Sequence, residues 1–330
     1  MLTQIFLPDE IMRIDEQALI RVLVENDKIP PLAKEEAANL ADYWIKTHFA
    51  TDISRRIVAV ECGFQVWLDQ DTLIVGMQDC IFQDAVSFFG GEWKTKKAPR
   101  FKLNGEPYKG DTEDDWLADI STGPQLAIYA IAQHAGIFYE AGNPHPLRLG
   151  VPVPRIMVRA AVKSNPPLMW PTTNSGIFEF SPEYLDAIET GLISCAAQIR
   201  AARRGQDVVP WQLPGKQCHS WGRDCQFLGT EEHPGCLQHS FPIGKEIEVF
   251  NPNYPAFEGS LKFCDPKSLE NPNLVVLSAS SYQLFFECAE KFRRITGHGG
   301  EKDESGALAV GTAFHLLMAE YYRQIKAAQK

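Results

Sequence analysis

Residues 76–97 of the sequence contain the carboxylates Asp79 and Glu92 and the lysine Lys94, whose spacing suits a shared site. Asp79 lies in an apolar run that predicts a β-strand, and Glu92 and Lys94 follow a Gly-Gly pair at 90–91 that predicts a turn. Because side chains alternate along a strand, Glu92 and Lys94 lie on one face of the second strand. The sequence therefore predicts that two neighbouring strands aim these three side chains at one point.

Residues of these types can hold a divalent metal ion and a phosphate. Mg²⁺ prefers carboxylate oxygens combined with water and phosphate oxygens, and it lowers the pKa of a bound water molecule. A lysine beside the ion can orient that water or stabilise the charge that grows on the phosphate. Taken alone, Glu92 and Lys94 are equally typical of a solvated strand face, so their interpretation depends on the pattern around them.

A helix predicted over residues 123–136 extends the pattern. Gln125 and Tyr129 are separated by one helical turn, which places both side chains on the same face of that helix. An aspartate, then an E-x-K-T segment, then this helix is an order that favours a functional metal-binding site over unrelated surface charges.

With these motifs the chain resembles the PD-(D/E)XK nuclease superfamily, specifically its RecB-like branch, which includes CRISPR-associated and phage-type single-domain exonucleases. That branch has G-x-x-D, then (D/E)-x-K-T, then a helix with Q-x-x-x-Y. The matching residues here are Gly76, Asp79, Glu92, Lys94, Thr95, Gln125 and Tyr129. The resemblance implies an α/β, restriction-endonuclease-like fold with a mixed central sheet flanked by helices, and metal-dependent hydrolysis of DNA phosphodiester bonds.

The resemblance also implies a role for each matching residue. Asp79 and Glu92 would bind Mg²⁺ or Mn²⁺, and Lys94 would be the catalytic lysine. Gln125 and Tyr129 would support the site from their helix. DNA would be the substrate, with a helicase or recombination protein as a further partner, in recombination, repair or phage DNA processing.

Two positions near the motifs carry additional expectations. Many members of the branch have an early acidic residue in the metal site, which makes Glu61 a further candidate ligand. Trp93 stands where the family usually has an aliphatic residue, and we expect it to pack beneath the sheet.

The end of the chain resembles the beginning of the family. Members carry S-x-S-x-x-x-x-F-x-x-C and then G-x-x-x-H before the G-x-x-D motif, whereas here residues 278–288 and the pair Gly311 and His315 come last. A circular permutation, a truncated second copy and a misassembled gene each explain this order. A permutation is possible where termini lie close together, and it would make His315 a third metal ligand with Asp79 and Glu92. In a truncated copy, the apolar face of the last helix would lack a partner.

Cysteines cluster late in the chain, in the spacing C-x6-C-x10-C. In a cytosolic protein such a cluster is more often metal-binding than disulfide-bonded, although this spacing differs from the short pairs of ordinary zinc sites. Some RecB-like nucleases bind a [4Fe–4S] cluster, and that resemblance implies the ligands Cys218, Cys225, Cys236 and Cys288. Free cysteines in an irregular segment are the alternative.

Composition narrows the class of protein. The chain has 330 residues, 45% of them hydrophobic, and a net charge of −10. No apolar run approaches the roughly 20 residues that span a bilayer, and the N-terminus lacks the basic start of a signal peptide, so we expect a cytoplasmic protein without a membrane partner. The negative charge argues against a general nucleic-acid coat protein, but basic clusters at 94–102 and 200–204 can meet phosphates.

Periodicity and turn residues predict the elements that position these residues. Strands are expected at 57–69, 72–83, 90–96, 153–163, 178–180 and 275–280. Helices are expected at 9–26, 31–48, 123–136, 181–204, 281–294 and 306–327, and a polar loop at 98–118. The predicted domains are a nuclease core at 1–245 with a Cys-rich segment at 205–245, a linker at 246–273 and a helical block at 274–330.

Two alternatives to a nuclease remain at this point. The chain could be a catalytically inactive DNA-binding or recombination-accessory module that keeps the fold. It could also be a structural Cys/His metalloprotein in which Asp79 and Glu92 are unrelated surface charges.

Overall fold

The computed structural model describes residues 14–204, except 86, 109, 144 and 173–175, together with residues 271–287 and 306–329. The helices within these ranges are α1 (Glu16–Val24), α2 (Pro31–Ile53), α3 (Glu113–Thr122), α4 (Pro124–Ala135), α5 (Pro182–Arg203), α6 (Ala279–Glu287) and α7 (Gly306–Ala328). The strands are β1 (Arg56–Asp69), β2 (Thr72–Gln83), β3 (Phe88–Lys97), β4 (Ile137–Glu140), β5 (Arg155–Lys163), β6 (Leu168–Trp170), β7 (Ile177–Glu179) and β8 (Val275–Leu277).

The strands form one mixed, open, eight-stranded sheet flanked by helices, which confirms the predicted α/β class. The order along the sheet is β4-β1-β2-β3-β5-β6, with β7 pairing with β5 and β8 pairing with β2. β3 is antiparallel to β2 and parallel to β5. The parallel pairing runs along β3 from Gly90 to Lys97, so the segment that carries Glu92 and Lys94 is held on a continuous ladder.

The Gly-Gly pair at 90–91 is not a turn, and that prediction was wrong. Gly90 and Gly91 lie inside β3 and pair with Ile81 and Cys80 of β2. The turn comes earlier, where the Asp84 N–H donates to the Ser87 carbonyl at 3.1 Å. The glycines serve close packing instead, because a Cβ at Gly90 would lie 1.7 Å from Gln78 Nε2.

The predicted loop at 98–118 was also partly wrong, since α3 begins within it at Glu113. Thr112 is the N-cap, and its hydroxyl oxygen accepts the Asp115 N–H at 3.1 Å. Glu113, Asp114 and Asp115 then fill the first turn, where carboxylates favour the helix dipole. The same acidic residues made the segment resemble a polar loop in sequence. The short strands β4 and β6 were not predicted.

The main hydrophobic core lies between α2, α7 and one face of the sheet. Trp93 of β3 is 1% exposed and stacks on Tyr322 of α7, with ring centroids 5.0 Å apart. The same indole meets Trp44 of α2 edge-on at 5.3 Å. Trp93 therefore packs beneath the sheet as expected, and it fixes which face of β3 points away from the core.

A buried polar network crosses this core. Arg159 of β5 donates to Asp52 of α2 at 2.7 Å, and the Tyr322 hydroxyl donates to the same carboxylate at 2.8 Å. Both charged residues are almost fully buried, so each needs the other for compensation. The network joins α2, α7 and β5 with directional contacts.

Two compact units divide the chain: Met1–Gly63, Met77–Pro182 and Asp303–Lys330 form the first, and Phe64–Gly76 and Glu183–Lys302 the second. Every predicted site residue that the structure describes lies in the first unit. In the second, β8 runs parallel to the start of β2, and Arg200 of α5 donates to the Asp71 carbonyl at 3.0 Å. Among the helices described here, none is long and apolar enough to cross a membrane.

Candidate metal-binding and active site

The site begins where β2 and β3 separate. Their pairing ends at Cys80 and Gly91, and beyond it the Trp93 N–H donates to Asp79 Oδ2 at 2.6 Å instead of to the backbone of β2. This bond holds the Asp79 carboxylate at the opening between the strands. A backbone group of Trp93 as the partner of Asp79 was not foreseen from the sequence.

Glu92 lies on the face of β3 opposite to Trp93 and points toward α4. Its side chain is 3% exposed, and its Oε1 accepts a hydrogen bond from Gln125 Nε2 at 2.8 Å. Lys94, two positions along the strand, forms an ion pair with the same oxygen. Glu92 Oε2 is also buried, and no described residue donates a hydrogen bond to it.

The predicted helix residues act together. Gln125 Nε2 also donates to the Tyr129 hydroxyl at 2.8 Å, so one amide links Tyr129 to Glu92. Burial and the Glu92 and Asp79 carboxylates raise the pKa of Tyr129 well above its usual value. Tyr129 is therefore a neutral phenol at all physiological pH values, and α4 contributes a polar, uncharged wall.

His315 reaches the site from the last helix. Its Nδ1 lies 3.4 Å from Asp79 Oδ1. Gly311, one turn earlier in α7, faces β3, and a Cβ there would lie 3.4 Å from Thr95 Oγ1, an ordinary van der Waals distance. In the G-x-x-x-H segment, the glycine therefore faces the strand and the histidine faces the Asp79 carboxylate.

Glu61 completes the group from β1. Possible ligand atoms of Glu61, Asp79 and His315 lie within 4.8 Å of one another. Glu61 has a φ of 50°, which L residues seldom adopt outside constrained positions. The signal for Glu61 in the sequence was the family resemblance, in which an early acidic residue joins the metal site.

Like charges and burial shift the ionisation of these acids. Burial and the nearby Asp79 carboxylate raise the pKa of Glu92 to about 7, although the Lys94 ammonium opposes this shift. The same two causes raise the pKa of Glu61 to about 7 against the attraction of His315 and Arg323. Without a cation, the two glutamates are therefore partly protonated at neutral pH.

The pKa values of His315 and Lys94 are also raised, but for these bases a higher pKa favours the charged form. For His315, burial lowers the pKa, but the Asp79, Glu92 and Glu61 carboxylates outweigh burial and raise the pKa to about 9. For Lys94, burial is likewise outweighed by Glu92 and Asp79, so its pKa rises above the usual lysine value. The carboxylates of the site therefore raise the pKa values of the acids and bases around them.

The residues present fit a divalent cation. Glu61, Asp79 and His315 supply two carboxylates and one imidazole whose ligand atoms lie within 4.8 Å of one another, and these are ligand types suited to Mg²⁺ or Mn²⁺. Glu92 interacts electrostatically with Asp79, and its buried Oε2 has no hydrogen-bond donor among the described residues, so a cation beside it would compensate for that burial. The arrangement can therefore bind one such ion, at the cost of displacing protons from Glu61, Glu92 and His315.

Hydrogen bonds and an ion pair join Glu92, Lys94, Gln125 and Tyr129, whereas Asp79 pairs with His315 and interacts electrostatically with Glu92. Among the described residues, the group whose ligand atoms could share one ion is Glu61, Asp79 and His315, and Glu92, which was predicted as a ligand, lies beside that group. The proposed iron–sulfur ligands Cys218, Cys225, Cys236 and Cys288 lie outside the described residues. A scan of protein-family models and a search of curated proteins both found no match to this chain, so its own geometry carries the functional argument.

Proposed function

We propose that this protein is a metal-dependent nuclease that hydrolyses phosphodiester bonds in DNA. The observation that carries the proposal is the meeting of Asp79, Glu92 and Lys94 at the opening between β2 and β3. Because α4 and α7 add Gln125 and His315 to the same point, chance surface charge is a poor explanation.

Asp79 and Glu92 would hold the metal, with His315 and Glu61 as further ligands. When bound, Mg²⁺ or Mn²⁺ supplies a water of lowered pKa and neutralises charge on the phosphate. The chain's own contribution is to fix the ligands beforehand. The Trp93 N–H orients Asp79, and Gln125 orients Glu92.

Lys94 would supply the positive charge that acts on the phosphate or on the attacking water. Its ammonium stays charged at neutral pH because the neighbouring carboxylates raise its pKa. Its side chain is 31% exposed, so the ammonium is accessible to a phosphate while Glu92 restrains it. Placed there, Lys94 donates to a phosphate oxygen or orients the attacking water.

The contacts of α7 support the permuted arrangement over a truncated second copy. A truncated copy predicts an apolar helix face without a partner, whereas Phe314, Met318 and Tyr321 are all fully buried. With α7 packed in this way, the late G-x-x-x-H motif completes the early acidic motifs. A partnership with a helicase or recombination protein, and a role in recombination, repair or phage DNA processing, remain expectations from the resemblance.

Cleavage of plasmid and linear DNA by the purified protein tests the proposal. We expect cleavage that EDTA abolishes and that Mg²⁺ or Mn²⁺ restores. Lys94→Ala should reduce the rate by about 100-fold or more, as loss of a preorganised charge does elsewhere. Lys46→Ala is the matched control, because Lys46 also pairs with a carboxylate but lies on the outer surface of α2.

Two results would contradict a nuclease. The first is cleavage that persists in EDTA, and the second is full activity in Lys94→Ala. A protein that binds DNA but never cleaves it would favour the inactive accessory module instead.

A further inference from the structure

A protruding hairpin follows directly on the strand that carries Glu92 and Lys94. After β3 ends at Lys97, residues 100–108 fold back on themselves. The Lys102 N–H donates to the Glu106 carbonyl at 2.7 Å, and the Tyr108 N–H donates to the Arg100 carbonyl at 3.0 Å. We call residues 100–108 the hairpin.

The hairpin exposes large apolar side chains that a stable surface would ordinarily cover. Phe101 is 61% exposed, Leu103 at the tip is 111% exposed, and Tyr108 is 46% exposed. Such residues are normal singly, but three within nine residues concentrate exposed apolar surface in this hairpin, as binding surfaces do. We call these three side chains the apolar patch.

Basic residues alternate with this apolar patch. From Lys94 to Tyr108 there are five basic residues and one acidic residue, in a chain whose net charge is −10. The Arg100 guanidinium lies 5.5 Å from the Tyr108 ring centroid. Positive charge interleaved with aromatic rings is the composition of surfaces that bind unpaired nucleic acid.

The base of the hairpin is fixed relative to β3. Arg100 donates from its backbone N–H and from Nε to Asp111 Oδ2, at 3.1 Å and 2.8 Å. Lys96 of β3 lies close enough to Asp111 to stabilise the charge of that carboxylate. The aromatic patch is thus held beside the strand end, a few residues beyond Lys94.

We propose that the hairpin, together with Lys96 and Lys97, binds an unpaired strand of DNA and guides it to the candidate site. Bases stack on Phe101 and Tyr108, and phosphates meet the basic side chains. This inference rests on the proposed function, because the bound strand is taken to be the substrate.

The charge pattern favours an unpaired strand over the other possible occupants. In a duplex the base faces are already stacked on each other, so Phe101 and Tyr108 would have no partner. A protein partner is a poorer match, because charged residues are depleted from the centre of protein interfaces. Here four basic residues, at 96, 97, 100 and 102, lie in the same segment as the three exposed apolar side chains.

The test measures binding of a fluorescein-labelled oligodeoxythymidine by anisotropy, in EDTA so that no cleavage occurs. Phe101→Ala and Tyr108→Ala should each weaken binding by roughly tenfold, the usual effect of losing one stacked base. Val153→Ala is the matched control, because Val153 is 46% exposed but precedes β5 at the opposite end of the β3–β5 ladder from Lys97. It should leave the affinity unchanged.

Salt dependence tests the phosphate contacts separately. Lys102→Ala should reduce the slope of log Kd against log salt by about 0.7, the value for one phosphate contact with a single strand. Lys46→Ala controls for general charge, because Lys46 and Lys102 both form exposed i,i+4 ion pairs, with Asp42 and Glu106. All five side chains that are changed in these tests are exposed, so thermal unfolding should not change.

Three outcomes would overturn the inference: no binding of the oligonucleotide by the unmodified protein, equal binding by the Phe101→Ala and Tyr108→Ala variants, or equally tight binding of a blunt duplex. The outcome is separable from that of the proposed function. If cleavage depends on Lys94 but the hairpin variants bind DNA normally, the protein is a nuclease and the hairpin does not bind the substrate. If binding depends on the hairpin but no DNA is cleaved, the hairpin binds DNA and the proposed nuclease activity is wrong.

Discussion

Glu92 is 2% exposed, yet it lies beside a second carboxylate and a lysine, and Oε2 has no hydrogen-bond donor among the described residues. Burying charge in this way destabilises a fold unless a proton or a cation compensates for it. Burial and neighbouring carboxylates raise the pKa values of Glu61 and Glu92 to about 7, so protonation of these groups compensates for part of the buried charge near neutral pH. This cluster of acids therefore makes the stability of the fold depend on pH.

This leads to a prediction about stability and pH. Between pH 6.5 and 9 the folded, metal-free protein binds more protons than the unfolded chain, because the pKa values of Glu61 and Glu92 are about 7 and that of His315 is about 9. Stability falls with rising pH wherever the folded state binds more protons. We expect the unfolding temperature in EDTA to decrease across this range in scanning calorimetry.

Metal and mutation give the controls for that experiment. Saturating Mn²⁺ should stabilise the protein more at pH 9 than at pH 6.5, since fewer protons must be displaced. Glu92→Gln should weaken the pH dependence in EDTA by removing one of the three titrating groups. An unfolding temperature that stays constant from pH 6.5 to 9 in EDTA would show that these groups do not share one charged site.

At the scale of elements, the opening between β2 and β3 depends on the packing around Gly90. A Cβ at this position would lie 1.7 Å from Gln78 Nε2 and 2.5 Å from Gln133 Nε2. Both glutamine side chains are fully buried, so they have little space to withdraw. Gly90 therefore allows α4 and β2 to pack closely over β3, and this packing positions Gln125 against Glu92.

We predict that Gly90→Ala lowers the free energy of unfolding by about 1–3 kcal/mol, the usual effect of overpacking a core. Chemical denaturation monitored by circular dichroism measures the change. Combining Gly90→Ala with Gln78→Ala should recover part of the loss, because the shorter side chain removes the nearest contact. Strictly additive effects of the two substitutions would be inconsistent with a direct contact.

Sequence patterns predicted most of the elements but not this packing. The helices α2, α4 and α7 and the strands β1, β2, β3 and β5 were found within a few residues, because each has a long and consistent hydrophobic pattern. The Gly-Gly pair was misassigned as a turn. Glycine supports a turn or a close approach equally well, and the choice depends on Gln78 and Gln133, which come from other elements.

At the scale of the whole molecule, the two ends of the described chain lie together. The Asp15 N–H donates to Gln324 Oε1 at 2.7 Å, and Gln324 Nε2 donates back to the Asp15 carbonyl at 3.2 Å. Adjacent ends of this kind permit circular permutation. The late position of the G-x-x-x-H motif is then compatible with one continuous active centre.

A synthetic permutant tests this organisation. We predict that joining the two ends with a short Gly/Ser linker, and opening the chain at 250/251 in the predicted linker, gives a protein that unfolds cooperatively and retains Lys94-dependent cleavage. This order restores the motif sequence of the family. Opening at 54/55, between α2 and β1, is the control and should prevent folding, because both elements belong to the main core. Failure of the 250/251 permutant alone would contradict the permuted arrangement.

The sequence by itself determined the identity of the acidic, basic and amide residues of the site, their order and the elements that carry them. It could do so because short motifs and hydrophobic periodicity are local properties. Only the tertiary structure decided that His315 reaches Asp79 across more than two hundred residues of chain, and that the Trp93 N–H, freed where the strands separate, orients that aspartate. These contacts arise from the packing of α7 on β3 and from the divergence of two strands, which no local pattern encodes.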